Sequence, residues 1–226
     1  MKRSLLTLIF AAATLYFSFG QQPADVIDSS KYSIYWWHSK DLYDHLPDTR
    51  NEIVFLGNSI TDGAEWSELF QNKRCINRGI SADVTAGILL RLDAITKLRP
   101  AKIFIMIGIN DLSLNMTVDE IVINYRAILE QIRRETPKTK VYIESVLPVN
   151  PNTGFALKHT NKTELIIELN SRLRTLASEF RYTYIDLFSV MADQNNHLPR
   201  KYSIDGLHLT YEGYRVWTEA IKEYVR

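Results

Sequence analysis

From Glu52 onward the chain alternates between two kinds of segment, and this alternation restricts its fold more than any other feature. The first kind is short, apolar and rich in β-branched and aromatic residues, as in residues 53–56 (Ile-Val-Phe-Leu). A run without polar alternation is what a strand buried on both faces requires. Residues 75–77, 102–108, 140–147 and 183–187 read the same way. The second kind is longer and helical in period. Across residues 83–98, Ile88, Leu89, Leu92, Ile95 and Leu98 recur at three and four, and Pro100 marks the end. Residues 118–134, 163–180 and 211–224 repeat the pattern, with Pro137 closing the first of them. Strand and helix in alternation imply βαβ units. The sequence therefore predicts an α/β fold, a three-layer α/β/α sandwich around five parallel strands.

The start of the chain is of another kind. Met1-Lys2-Arg3 is positively charged, residues 5–19 are almost unbroken apolar sequence, and Ser18-Phe19-Gly20 puts small residues where a signal peptidase reads. The apolar run falls short of the roughly 20 residues of a membrane span. Residues 1–20 are thus expected to be a signal peptide, residues 21–50 a linker plus an aromatic segment, and residues 51–226 the α/β domain. The mature protein is expected to be exported, periplasmic or secreted, without stable membrane insertion. No cysteine lies near the cleavage point to carry a lipid. Cys75 is the only cysteine, so no disulfide can form within the chain, and a structural zinc site is not expected. Lys plus Arg number 27 against 26 Asp plus Glu, a net charge of +1. That balance offers nothing to attract nucleic acid.

Tyr32, Tyr35, Trp36, Trp37, Tyr43 and Leu46 crowd the segment before the first strand. They could line a ligand pocket, but burial preferences favour packing against the body of the fold. His38 and His45 have no acidic or cysteine partners in sequence and are read as structural or exposed.

Open parallel sheets place their chemistry beyond the carboxyl ends of the strands. Four such places carry reactive or polar residues. Strand one runs into Gly57-Asn58-Ser59-Ile60-Thr61, and strand two into Asn77-Arg78-Gly79-Ile80-Ser81-Ala82-Asp83. Strand three runs into Gly108-Ile109-Asn110-Asp111, and Asp205-Gly206-Leu207-His208 precedes the last helix. Singly, each has a plain explanation. Ser59 could cap a helix, Asn110 could stabilise a turn, and Asp205 and His208 could cap and flank the final helix. Together they supply what a serine hydrolase needs: a nucleophile, a base, a carboxylate to orient it, and oxyanion donors.

In this order and spacing, the four blocks resemble those of the SGNH (GDSL-type) esterase superfamily, in particular the branch containing the catalytic subunits of platelet-activating-factor acetylhydrolase. The resemblance implies a flavodoxin-like sheet of order 2-1-3-4-5 and an ester hydrolase needing no metal or other cofactor. It implies Ser59 as nucleophile, His208 as general base and acid, and Asp205 as its orienting partner. Ser59 N–H, Ala82 N–H and the Asn110 side chain would form the oxyanion hole. Two positions depart from the pattern. Asn58 stands where the family has Asp, and Ala82 stands where it has the glycine that donates a backbone N–H. Ala82 keeps an N–H, so the donor survives if its backbone angles suit a residue with a Cβ.

Export and the lack of a long apolar insertion point to a small acyl group, acetyl above all, on a carbohydrate or other polar ester. Sialic-acid or peptidoglycan O-acetyl groups are among the possibilities. The alternatives are a lysophospholipase or thioesterase of the same superfamily, or a non-catalytic glycan-binding module on a decayed hydrolase scaffold.

Overall fold

The computed structural model describes residues 31–226, and Tyr32–Arg226 form one compact unit. The expected signal peptide and the polar stretch after it lie outside the described residues. In chain order the elements begin with α1 (Ile34–His45), β1 (Ile53–Gly57), α2 (Ser59–Asp62), α3 (Trp66–Leu69) and β2 (Cys75–Gly79). There follow α4 (Thr85–Arg91), α5 (Asp93–Thr96), β3 (Lys102–Met106), α6 (Ile109–Ser113), α7 (Val118–Glu135) and β4 (Lys140–Glu144). The chain closes with α8 (Leu157–Thr160), α9 (Thr163–Phe180), β5 (Thr183–Ile185), α10 (Leu187–Met191) and α11 (Tyr211–Val225).

The five strands are all parallel, in the order β2-β1-β3-β4-β5. Every residue of β1 is buried, which is why its sequence is apolar throughout rather than alternating. The register pairs Phe55 with Phe104 and Phe104 with Tyr142 on neighbouring strands. Their rings stack at 5.1 and 4.5 Å, so one sheet face carries an aromatic row. Trp66 of α3 stacks on Phe55 at 4.0 Å, and Trp217 of α11 meets Trp66 edge-on at 4.9 Å. Both indoles are fully buried, and truncating either would cost about 3–5 kcal/mol. The other face presents Val54, Ile103 and Val141 in register, under the layer formed by α4, α7 and α9 packed side by side.

The strands expected over residues 102–108, 140–147 and 183–187 end two or three residues earlier, and two further segments differ in ways that bear on the site. The helix expected across residues 83–98 is divided into α4 and α5, because the chain tightens at Leu92 into turns closed three residues back. The aromatic segment before β1 is the helix α1, capped by Ser33, and it belongs to the same compact unit. It sits over the loops that follow β1 and β2. Trp36 Nε1 donates to Asp83, Tyr43 donates to the Gly79 carbonyl, and Tyr35 donates to Asp62. Here the packing role expected of these aromatics takes a specific form: they staple loops rather than cover the sheet. His38 and His45 are exposed, but His45 does have an acidic neighbour, since Asp41 Oδ1 lies 3.6 Å from its Nδ1 one helical turn back.

Gly57 aligns with both Gly79 and Met106, so β1, β2 and β3 end level with one another. The three loops that leave them start from one edge of the sheet, where the candidate residues gather.

Candidate active site

Ser59 is the first residue of α2, directly after β1. The cap of that helix is Asn58, whose Oδ1 accepts the Ile60 N–H at 3.0 Å. Asn and Asp cap equally well, so the replacement of the family's Asp leaves the turn intact. With capping done by its neighbour, the Ser59 hydroxyl faces His208, Oγ to Nε2 at 3.0 Å. The turn is fixed from outside as well. Asn77 Nδ2 lies within 3.0 Å of the carbonyls of Thr61, Asp62 and Ala64, and Tyr214 donates to the Ile60 carbonyl at 2.8 Å. Gly79 must be glycine here, since a Cβ would stand 2.2 Å from the Asp62 nitrogen.

His208 Nδ1 lies 2.7 Å from Asp205 Oδ2. A carboxylate can only accept, so Nδ1 carries the proton and Nε2 is left to accept from Ser59. The other Asp205 oxygen accepts the N–H groups of Leu207 and His208 at 2.9 and 2.8 Å, and the Ser203 hydroxyl at 3.2 Å. Partial burial would raise this carboxyl, but the hydrogen bonds from His208 and from the two N–H groups outweigh it and hold it at about 2. Asp205 is therefore ionised at any pH well above 2. The cap of α11 is Thr210, so neither Asp205 nor His208 has that duty.

On the opposite side, Asn110 is buried on α6 and leaves the local turn alone. Its Nδ2 donates to the Asp83 carbonyl at 2.8 Å, and its Oδ1 lies 3.2 Å from His159 Nε2. Asp111 accepts from both the N–H and the hydroxyl of Thr85. Burial pushes the Asp111 carboxyl up to about 6 despite those bonds. The Asn110-Asp111 pair thus grips residues 83–85, the stretch following Ala82. Beneath it, Arg91 Nε pairs with Asp83 at 2.8 Å, and its other nitrogens reach the carbonyls of Arg78 and Gly57 at 2.9 and 3.1 Å.

Ala82 itself has φ 62, in the left-handed region where a Cβ is strained. The conformation demanded at this position is glycine's, and the alanine adopts it anyway. Among the described residues, neither the N–H of Ala82 nor that of Ser59 is taken by a backbone carbonyl.

The geometry brings Ser59, Asp205 and His208 together in one hydrogen-bonded chain and places Asn110 at the end of β3. Sequence reasoning missed His159, Arg91 and the tie from Trp36. His159 lies in an aperiodic stretch after β4, and its place beyond that strand's carboxyl end is its one sequence signal. Among the described residues, no three His, Cys, Asp or Glu side chains cluster as metal ligands, and no helix is long and apolar enough to cross a membrane. Burial pushes the Cys75 thiol up to about 11, which keeps it protonated.

Residues 55–216 match the model of the GDSL-like Lipase/Acylhydrolase family. The chain belongs to this family. The human platelet-activating factor acetylhydrolase IB subunit alpha1 is 26% identical over 176 residues, covering 74% of this chain and 72% of that protein. The alpha2 subunit from Rattus norvegicus is 24% identical over 183 residues, covering 78% and 76%. Among solved structures, a GDSL-like lipase from Bacteroides thetaiotaomicron is 27% identical, with a TM-score of 0.73 over 84% of this chain and 96% of that one. An acetyl-xylooligosaccharide esterase from Geobacillus shares the fold at 18% identity, with a TM-score of 0.62 over 79% and 96%. This acylhydrolase therefore has the sheet order of its family, with the four sequence blocks at the carboxyl edge.

Proposed function

We propose that this acylhydrolase cleaves short-chain acyl esters, acetyl esters first among them, through an acyl-enzyme on Ser59. The observation that carries the reading is the hydrogen-bonded chain from Ser59 Oγ to His208 Nε2 and from His208 Nδ1 to Asp205. His208 takes the Ser59 proton as Oγ attacks the ester carbonyl, and Asp205 stabilises the imidazolium that forms. The oxyanion is held by the N–H groups of Ser59 and Ala82 and by Asn110 Nδ2, one of whose two hydrogens is not needed by Asp83. His208 then protonates the departing alcohol, and water repeats the sequence on the acyl-enzyme. Support for an acetyl group comes from the relatives named as acetylhydrolases.

The leaving group we assign to a carbohydrate or other polar molecule outside the cytoplasm. The support for export is the order of charged, apolar and small residues in positions 1–20. A second reading, a lysophospholipase or thioesterase, is favoured by one observation. Ile204, Phe155, Leu157 and Leu114 lie within a few residues in sequence of Asp205, His159 and Asn110, and all four are exposed large apolar side chains.

A fluorophosphonate probe followed by a series of aryl esters tests both. Covalent labelling at Ser59 and a fall in kcat/KM beyond short acyl chains are expected, with acetate released from acetylated sugars. Absence of labelling on folded protein would mean a decayed scaffold, and a preference for long chains would select the second reading.

A further inference from the structure

We propose that His159 is a positioning residue that holds the Asn110 carboxamide in the plane needed for oxyanion donation. The proposal rests on the acylhydrolase reading only in taking Asn110 as a donor to the substrate oxygen.

A carboxamide has a donor end and an acceptor end, and its surroundings decide which way it lies. The Asp83 carbonyl is a pure acceptor 2.8 Å from one end, so that end is Nδ2. The other end is then Oδ1, and it lies 3.2 Å from His159 Nε2. Two acceptors would repel at that distance, so His159 carries its proton on Nε2 and donates. One Nδ2 hydrogen is engaged by Asp83 and the second is left for substrate. Asp83 alone would fix the carboxamide at a single point, about which the group could swing. His159 supplies the second point, and two points define the plane in which the remaining N–H lies.

The support under His159 is coupled to the rest of the site. It stands on α8, which packs on α6, the helix that bears Asn110. The loop leading into α8 is tied to the base side: Thr153 donates to the Asp205 carbonyl at 2.8 Å, and Asn150 N–H donates to the Gly206 carbonyl at 2.9 Å. Gly206, at φ 82, leaves no room for a Cβ, which would stand 2.3 Å from the Asn150 oxygen. Burial first, and then the nearby His208, make His159 less basic than an ordinary histidine. A neutral His159 puts no second cation beside the imidazolium that forms on His208. Nor can it replace His208 as base, since its Nε2 is committed to Asn110.

The test uses the whole protein with an aryl acetate and compares His159→Phe, His159→Gln, Asn110→Ala and the double variant His159→Phe/Asn110→Ala. Asn110→Ala should lose about 10²–10³ in kcat. His159→Phe should lose roughly 10–10² in kcat with KM within about twofold, because a misplaced donor weakens the transition state more than the ground state. His159→Gln, whose amide N–H has a similar reach, should return kcat to within about threefold of wild type. In the Asn110→Ala background, His159→Phe should add less than about twofold, since its effect passes through the missing side chain. Full additivity in the double variant, or wild-type kcat in His159→Phe with Asn110→Ala crippled, would overturn the proposal and leave the function standing. Wild-type turnover in Asn110→Ala would instead remove the oxyanion assignment, and this proposal with it. Should His159→Phe fail to fold, His159→Asn, one bond shorter, carries the same expectations.

Discussion

On one side of Ser59, Asp205 and His208 stand three residues apart on a loop, their side chains 32% and 48% exposed. On the other side, the Asp83–Arg91 pair is wholly buried, and Arg91 ties that pair to the carbonyls ending β1 and preceding the end of β2. The base side is made by a short turn that closes on itself through the Asp205 carboxylate. The donor side is made by polar side chains drawn from four separate elements or loops and locked into the core. Substitutions on the base side should therefore stop the chemistry and spare the fold. On the donor side, loss of a buried partner should unsettle the fold itself.

The largest expected effect tests the first half of that contrast. Ser59→Ala and His208→Gln should each lower turnover by about 10⁴-fold or more. Their thermal midpoints should stay within about 2 °C of wild type, because neither side chain is part of the core. Loss of the folded state in either variant would show that the base side is structural after all.

Arg91→Leu tests the second half. It strands the Asp83 carboxylate and two carbonyls in the interior, which should cost about 3–5 kcal/mol in urea unfolding. An unchanged urea midpoint would erase the distinction between the two sides.

Titration sharpens the comparison, because the carboxylates on the two sides shift in opposite directions. Asp205 is held at about 2, below its ordinary value. Its contribution to stability is present above that ordinary value and is lost as pH falls through 2. Asp111 is raised to about 6, so its contribution is complete below the ordinary carboxylate value and is lost as pH rises through 6. Asp111→Asn should flatten the pH dependence of unfolding free energy between roughly pH 4 and 7 by up to about 3 kcal/mol. Asp205→Asn should change only the acid limb. A slope between those values that survives Asp111→Asn would assign it to another carboxyl raised by burial, Asp83 or Glu144.

The smallest effect concerns Ala82. Glycine adopts its φ of 62 without strain, so Ala82→Gly should stabilise the protein by about 1 kcal/mol. Turnover should remain within about threefold because the N–H is kept. A less stable glycine variant would mean that the chain pays nothing for a Cβ at this turn.

The outline of the fold was legible because it follows local rules. β1 declares itself as an unbroken apolar run, and α9 runs from Thr163 to Phe180, the span expected from the helical period. Asp205 and His208 were legible for a similar reason: three residues of separation let one turn join them. Resemblance to known sequence blocks added Asn110 and Ala82, but not the left-handed angle that Ala82 must hold. Only the folded chain could decide that Trp36 reaches Asp83, that Arg91 turns inward to the strand ends, and that His159 faces Asn110. Those contacts join residues far apart in sequence, with no period and no shared turn. Each exists because the parallel register brings three strand ends level and forces the polar groups buried there to find partners.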